Sequence, residues 1–202
     1  MSVITPTFDR HEILADNLLA TIKQKYPNFE IVVADSGNIP ADFVVKKIRE
    51  NTKIPIKYIR FENKGEYTLA KARNLAVMEA EGEFLLFCDE RIAMLPGAIE
   101  AFINGYTKKV WLWGMKDEIE KGFVENFSFI KRGDLIKKGM FCERIDEYGG
   151  MGEELRRRFE PDIMFEFIHQ AKAKSIAKAG AKYRKREHII NAKFKVFKLH
   201  GK

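Results

Sequence analysis

The sequence has few cysteines and no long apolar run, and each absence excludes a class of protein. Two cysteines, Cys88 and Cys142, are too few for a disulfide framework or a zinc site, and Cys88 falls in a predicted buried strand. The apolar runs stay far below the roughly 18 residues of a membrane-spanning helix. The N-terminus enters a predicted strand at once, without the basic and apolar segments of a signal peptide. We therefore expect an intracellular, cytoplasmic protein.

Glycine is also absent from residues 5–12, the segment that follows the first predicted strand. The dinucleotide-binding fingerprint and the P-loop both place glycines there, because the backbone must approach phosphate closely. The segment therefore argues against a Rossmann dehydrogenase and a P-loop NTPase.

Basic residues are abundant, but their distribution is uneven. The net charge is +7, yet residues 171–202 alone carry eleven Lys and Arg against one acid, Glu187. We rank three explanations for this segment. The first is a solvated helical face, since lysines at 172, 174, 178 and 182 recur among alanines. The second is contact with an anionic membrane, where each basic residue contributes about 1 kcal/mol. The third is binding to nucleic acid.

Predicted strands alternate with predicted helices through the first half of the chain. Apolar segments at 2–5, 29–34, 56–61 and 84–88 are typical of buried strands. The helices between them begin near the capping-box pair Asp9 and Glu12, near Pro40 and at Thr68. We expect Phe43, with Val44 and Ile48, to face the core. This order predicts an α/β fold with a mixed, mostly parallel central sheet flanked by helices.

Three of these strands end in polar residues: Thr5-Pro6-Thr7, Asp35-Ser36-Gly37 and Asp89-Glu90. In open α/β sheets, ligands bind in the crevice outside the carboxyl ends of the strands. We therefore expect these three tips to converge on one crevice. From these residues alone, a solvated loop at Asp89 and Glu90 is an equal alternative.

The second half has strands predicted at 110–113 and 123–130, a basic helical turn at 132–138, and glycines at 149, 150 and 152. Glu153 and Glu154 follow these glycines. Acids in the first turn of a helix interact favourably with its dipole, so their position also has a purely structural explanation.

Several segments, taken in order over residues 2–159, resemble the glycosyltransferases of family 2. These enzymes have the Rossmann-like GT-A fold and invert the configuration at the anomeric carbon of the sugar that they transfer. The similar segments are Val3–Arg10, Ile31–Gly37, Ala70–Asn74, Ala80–Phe84, Phe141–Glu143 and Gly152–Glu154. The resemblance implies a single GT-A domain, with a nucleotide-sugar-binding half at 1–104, an acceptor and catalytic half at 105–170 and a basic extension at 171–202. The short chain resembles compact members from archaea and their viruses.

The resemblance also implies site residues. Glu154 matches the catalytic base, with Glu153 as the nearby alternative. The nucleotide pocket would be lined by Thr5, Pro6, Thr7, Asp35, Lys64, Arg73, Asp89 and Glu90. The donor would be a UDP- or GDP-linked sugar. The acceptor would be a protein glycan or a lipid-linked molecule, with possible membrane contact through residues 171–202 and no nucleic acid partner.

The resemblance implies a divalent cation, Mn²⁺ or Mg²⁺, but its usual Asp-x-Asp appears here as Asp89-Glu90-Arg91. Either Glu90 reaches the metal or Arg91 takes over part of the charge neutralisation, because a guanidinium pairs well with phosphate oxygens. His200 is similar to a metal-binding histidine at a strand end in some GT-A enzymes. His11, His169 and His188 lack ligand spacing, and we expect structural or solvated roles for them.

Two other functions stay open. A nucleotidyltransferase has a similar core and acidic metal site, but it would place a glycine-rich basic loop after the first strand, where residues 5–12 contain none. A degenerate GT-A domain, having lost its metal through Arg91, could instead be a binding module.

Overall fold

The computed structural model of the chain describes residues 1–119, 122–145, 147 and 149–178, so His188 and His200 lie outside it. Within these residues, eight strands form one sheet with helices packed on both faces. The strands are β1 (Ser2–Thr7), β2 (Glu30–Asp35), β3 (Ile56–Arg60), β4 (Phe84–Cys88), β5 (Ile92–Met94), β6 (Val110–Lys116), β7 (Phe127–Lys131) and β8 (Met164–Ser175). The helices are α1 (His11–Ile22), α2 (Asp42–Arg49), α3 (Leu69–Glu79), α4 (Ala98–Gly105), α5 (Arg132–Lys137) and α6 (Met151–Phe159).

The sheet has the strand order β3-β2-β1-β4-β7-β6-β8-β5. Strands β3, β2, β1 and β4 run parallel, β7 is antiparallel to both β4 and β6, and β8 is parallel to β6 and antiparallel to β5. This arrangement confirms the predicted mixed, mostly parallel sheet. The carboxyl ends of β1, β2 and β4 therefore lie at one edge, together with the start of the antiparallel strand β7.

The central strands are buried on both faces, as their continuous apolar sequences predict. In β4, Leu86 and Cys88 belong to one core cluster, whereas Leu85 and Phe87 belong to the cluster on the other face. Burial raises the pKa of the Cys88 thiol to about 12. Cys88 is thus a neutral core residue, which confirms the expectation drawn from its strand.

The end of β1 differs from the prediction, because the strand continues through Pro6 to Thr7. Pairing of β1 with β4 is confined to Ser2–Ile4, whereas pairing with β2 continues to Thr7 opposite Asp35. The end of β1 therefore has one free edge, where a strand tolerates a residue without an N–H group.

The predicted capping box at Asp9 is wrong. Helix α1 begins at His11, and the residue before it, Arg10, makes no side-chain capping hydrogen bond. Asp9 has a φ of 51°, and its carboxylate accepts hydrogen bonds from Asn38 Nδ2 at 2.6 Å and from the Ile39 N–H at 3.0 Å. Donors from the loop after β2 thus occupy the carboxylate that would otherwise accept hydrogen bonds from the N–H groups at the start of α1.

Phe43 is also placed differently from the prediction, since 55% of it is exposed. The buried face of α2 consists of Val44, Val45 and Ile48. The position before Val44 is rotated by about 100° around the helix, which turns Phe43 away from the core and against the ring of His11.

The helical interpretation of the basic segment is wrong for its first residues. Lys172 and Lys174 lie on strand β8, where they alternate with the buried Ala171 and Ala173. This alternation has the two-residue period of a strand between β5 and β6. The sheet therefore includes residues 171–175 of the predicted basic extension, whereas Lys182 lies outside the described residues.

None of the helices in the described part of the chain is long and apolar enough to cross a membrane.

Candidate active site

The three polar strand ends meet at one edge of the sheet, as the parallel order predicts. Thr7 at the end of β1 lies opposite Asp35 at the end of β2. The Thr7 hydroxyl also donates a hydrogen bond to Glu90, which follows β4. The start of β7 completes the edge, because Phe127 is paired with Cys88 and the Asn126 carbonyl accepts a hydrogen bond from the Asp89 N–H.

Asp89 forms a buried ion pair with Arg73 of α3. The Nη2 atom of Arg73 lies 2.8 Å from Oδ1 and 3.0 Å from Oδ2 of Asp89, and the guanidinium is fully buried. Arg73 Nη1 lies 3.5 Å from Glu125 Oε1, while Nε is buried without a hydrogen-bond partner among the described residues. Burial opposes the charged form of Arg73, but the carboxylates of Asp89 and Glu125 raise its pKa overall. Arg73 is therefore a buried cation that holds two carboxylates at this edge of the sheet.

Glu90 points toward the end of β1 and not toward Arg73, the partner of Asp89. Its Oε2 atom accepts hydrogen bonds from the Thr7 hydroxyl and from the Phe8 N–H at 3.2 Å, and its Oε1 atom lies 3.7 Å from Arg10 Nε. Burial raises the pKa of Glu90 to about 7, against the opposing effects of these hydrogen bonds and of Arg10. The two adjacent acids thus occupy different environments.

Asp35 organises the loop between β2 and α2. Its Oδ1 atom accepts a hydrogen bond from the Gly37 N–H at 2.8 Å. Its Oδ2 atom accepts one from the Ala41 N–H at 2.8 Å and one from the Tyr58 hydroxyl at 2.6 Å. Burial, together with this carboxylate, raises the pKa of Tyr58. Both carboxylate oxygens of Asp35 therefore accept hydrogen bonds from groups within the protein.

The other predicted nucleotide-site residues fall into buried and exposed groups. Thr5 and Pro6 are buried in β1, and the Thr5 hydroxyl has no hydrogen-bond partner among the described residues. Lys64 is exposed in a turn that Asn63 stabilises by accepting hydrogen bonds from the N–H groups of Gly65 and Glu66. Lys64 thus lies on an exposed turn.

Glu154 lies in the first turn of α6 and is 5% exposed. Its Oε1 atom is 2.6 Å from Arg158 Nε, and its Oε2 atom is 3.0 Å from Arg158 Nη2. Arg158 also donates to the Met140 carbonyl at 2.5 Å, which fixes the pair against the segment after α5. Glu153 instead pairs with Arg157 at 2.8 Å, and 38% of its side chain is exposed. The two acids therefore differ in burial although both are ion-paired.

Glu125 connects α6 to the Asp89 cluster. A Cβ atom added at Gly152 would lie 2.7 Å from Glu125 Oε2, so α6 approaches this carboxylate closely. The sequence reasoning missed Glu125 and Arg10. A signal for Glu125 existed, because the residues before a strand antiparallel to β4 must lie beside the end of β4. Arg10 ends the similar segment Val3–Arg10, but that resemblance implied no role for it, and its contact with Glu90 depends on the loop after β1.

The carboxylate oxygens at this edge are not arranged as ligands of a divalent cation. Among the described residues, no three His, Cys, Asp or Glu side chains are grouped so that they could hold a metal ion. Both Asp89 oxygens are bound to Arg73, and Glu90 is turned onto Thr7 and Phe8. The third position of the predicted motif is a cation, Arg91. His200, the other predicted ligand, lies outside the described residues.

Several characterised proteins are similar to this chain. Staphylococcus aureus TarS, a poly(ribitol-phosphate) beta-N-acetylglucosaminyltransferase, is 33% identical over 131 residues, which are 62% of this chain and 22% of TarS. The chondroitin synthase of Escherichia coli is 27% identical over 142 residues, covering 68% of this chain and 20% of that enzyme. The chain thus spans only about a fifth of the length of these two relatives.

Solved structures show the same fold. The structure of S. aureus TarS residues 1–349 with UDP-GlcNAc superposes with a TM-score of 0.74 at 18% identity, covering 93% of this chain and 62% of that one. The mannosyltransferase PcManGT from Pyrobaculum calidifontis, with GDP-Man and Mn²⁺, gives a TM-score of 0.73 at 19% identity, covering 89% and 57%. These superpositions confirm the predicted GT-A fold. Because the family profile of "Glycosyl transferase family 2" matches residues 2–160, the chain belongs to glycosyl transferase family 2.

Proposed function

We propose that this chain transfers a sugar from a nucleotide-diphosphate sugar to an acceptor hydroxyl, with inversion at the anomeric carbon. The observation that carries the proposal is the clustering of Asp89, Glu90 and Arg73 at the crevice edge of a family 2 chain. The similar proteins are named as glycosyltransferases, and their structures contain UDP-GlcNAc or GDP-Man.

The nucleotide would occupy the edge formed by β1, β2 and β4, and the eight predicted residues contribute in different ways. Asp89 would contact the ribose or the diphosphate, because its carboxylate is at the surface of the cluster with 9% of the side chain exposed. Arg73 would act through Asp89, since it is itself fully buried. Asp35 would shape the nucleobase side of the site through its loop.

The remaining predicted residues would line the nucleotide site from β1, from the end of β4 and from an exposed turn. The floor of the site would be formed by Thr5, Pro6, Thr7 and Glu90. Lys64 would extend from its exposed turn toward the bound nucleotide.

Inversion requires a base that removes the proton from the acceptor hydroxyl as it attacks the anomeric carbon. Glu154 is our candidate for this base, because it lies in the first turn of α6. That turn lies close to Glu125, and Glu125 in turn contacts Arg73. Arg158 holds both Glu154 oxygens and fixes the direction of the carboxylate. Glu153 is the alternative, being one residue away and more exposed.

The acceptor would be a glycan or a lipid-linked molecule. The positive charge of residues 171–202 supports peripheral contact with an anionic membrane. In the described part of this segment, Lys172, Lys174 and Lys178 are exposed on the protein surface. Sedimentation with vesicles of phosphatidylcholine, with and without phosphatidylserine, tests this contact. Binding that does not depend on the anionic lipid would contradict it.

The transferase activity can be tested by incubating the full chain with UDP-GlcNAc and with GDP-mannose and measuring nucleotide release. We expect slow hydrolysis of one donor, and NMR of the released sugar should show the inverted anomer first. An Asp89→Asn variant should lose most of this activity, whereas Asp16→Asn, an exposed acid on α1, should retain it. Nucleotide binding without any turnover would favour the degenerate binding module instead.

A further inference from the structure

We propose that Arg91 takes the place of the divalent cation in this chain, so that the donor diphosphate binds through a guanidinium without a metal ion. The inference rests on the proposed function, since it concerns the same nucleotide site. It also decides between the two alternatives that the Asp89-Glu90-Arg91 sequence leaves open.

The first argument is that the carboxylates at this edge already have partners. Arg73 Nη2 lies within 3.0 Å of both Asp89 oxygens. Glu90 accepts hydrogen bonds from Thr7 and Phe8 and therefore points toward β1. A divalent ion prefers several oxygen ligands converging on one point, and these two side chains diverge. The alternative in which Glu90 reaches a metal next to Asp89 therefore conflicts with its contacts.

The second argument is the balance of charge. Arg73 makes ion pairs with Asp89 and Glu125, and Arg10 makes one with Glu90, so each of these three carboxylates faces a guanidinium. Arg91, the residue after Glu90, adds a further positive charge to the segment that follows β4. A diphosphate would bring its negative charge to this additional cation.

The third argument is the position of Arg91 itself. The turn from Asp89 to Ile92 is closed by a hydrogen bond from the Ile92 N–H to the Asp89 carbonyl at 2.9 Å, and the Ile176 N–H donates to the Arg91 carbonyl at 2.9 Å. The backbone of residue 91 is therefore fixed directly after β4. Its side chain is half-buried, and it has no hydrogen-bond or ion-pair partner among the described residues. A guanidinium in this state can donate two parallel hydrogen bonds to phosphate oxygens.

Calorimetric titration of the full chain with UDP and with GDP, in EDTA and in MnCl₂, tests the inference. We expect one nucleotide to bind with the same Kd, within about threefold, in both conditions. Arg91→Asp should weaken binding in EDTA by about tenfold to a hundredfold, the effect expected for a lost charged hydrogen bond. Arg91→Lys should give an intermediate loss, because it keeps the charge without the fork of donors.

The control is Lys108→Asp, which makes the same change of charge at an exposed position near the opposite end of the sheet, before β6. It should leave the Kd unchanged, and circular dichroism checks that every variant is folded. Binding that requires Mn²⁺, or an Arg91→Asp loss no larger than that of Lys108→Asp, would overturn the inference and leave the proposed function intact. Failure of both nucleotides to bind in either condition would overturn the two together.

Discussion

The guanidinium of Arg73 is fully buried, and its Nη2 atom lies 2.8 Å and 3.0 Å from the two carboxylate oxygens of Asp89. Arg73 belongs to α3, whereas Asp89 follows β4, so the pair joins a helix on one face of the sheet to the crevice edge. A buried ion pair is not by itself evidence of net stabilisation, but removal of one partner leaves the other charge uncompensated.

We therefore expect Arg73→Met to lower the free energy of unfolding by about 3–5 kcal/mol, because the Asp89 carboxylate would lose its counter-ion. Urea denaturation measures the change. Arg156→Met is the matched control, since Arg156 forms an ion pair with Glu160 at the surface and should cost less than about 1 kcal/mol. Adding Asp89→Asn to Arg73→Met should recover part of the loss. Equal losses for Arg73→Met and Arg156→Met would contradict the account of the buried pair.

Glu154→Gln should reduce the rate of sugar transfer by about 10²–10⁴-fold while leaving nucleotide affinity within a few fold, because it removes only the base. Glu153→Gln is the matched control, one residue away on the same helix, and it should retain most of the activity. Initial rates with a saturating donor measure both variants. If the Glu153 variant is the inactive one, the assignment of the base moves to that residue.

Glu90 should make stability fall as pH rises. Burial raises the folded pKa of this carboxyl from 4.5 to about 7, so between pH 4.5 and 7 the folded chain holds a proton that the unfolded chain has released. Glu90 therefore does not lower the free energy of unfolding below pH 4.5, and its full destabilising effect is present above pH 7. Glu90→Gln should stabilise the chain by about 2–3 kcal/mol more at pH 8 than at pH 4.5, measured by urea denaturation. An equal effect of the substitution at both pH values would refute this assignment.

Gly37→Ala should disturb the loop that Asp35 organises. The added Cβ atom would lie 2.6 Å from Asp9 Oδ1, 2.9 Å from the Asp9 nitrogen and 3.0 Å from Asp35 Oδ1. We expect a loss of about 1–3 kcal/mol in the free energy of unfolding, together with weaker nucleotide binding. Gly133→Ala in α5 is the control, because nothing lies within 4 Å of its added Cβ and alanine favours a helix. A neutral Gly37→Ala would show that the loop can rearrange freely.

The positions of the central strands could be predicted because local sequence determines them. The apolar segments that became β1, β2 and β4 had no alternative to burial, and the parallel order followed from the helices between them. The convergence of Thr7, Asp35 and Glu90 on one edge was a consequence of that order. The family resemblance, rather than periodicity, pointed to Glu154.

The errors arose where distant segments compete for the same atoms. Asp9 was predicted to cap α1, but the loop after β2 supplies closer donors from Asn38 and Ile39. The Ala-Lys alternation at 171–174 was interpreted as helical, although its packing between β5 and β6 makes it a strand. The pairing of Arg73 with Asp89 was equally invisible, because it depends on how far α3 lies from the end of β4.

The hydrogen bond from the Ile176 N–H to the Arg91 carbonyl has a consequence for how this site can change over evolutionary time. Residue 91 is held by its main chain, so its side chain can be exchanged without unpairing β8 or opening the turn at Asp89. An acid or a base at this position would stand in the same place on the same scaffold. Under the role proposed for Arg91, the sign of this one side chain decides whether the site binds its donor with a metal ion or without one.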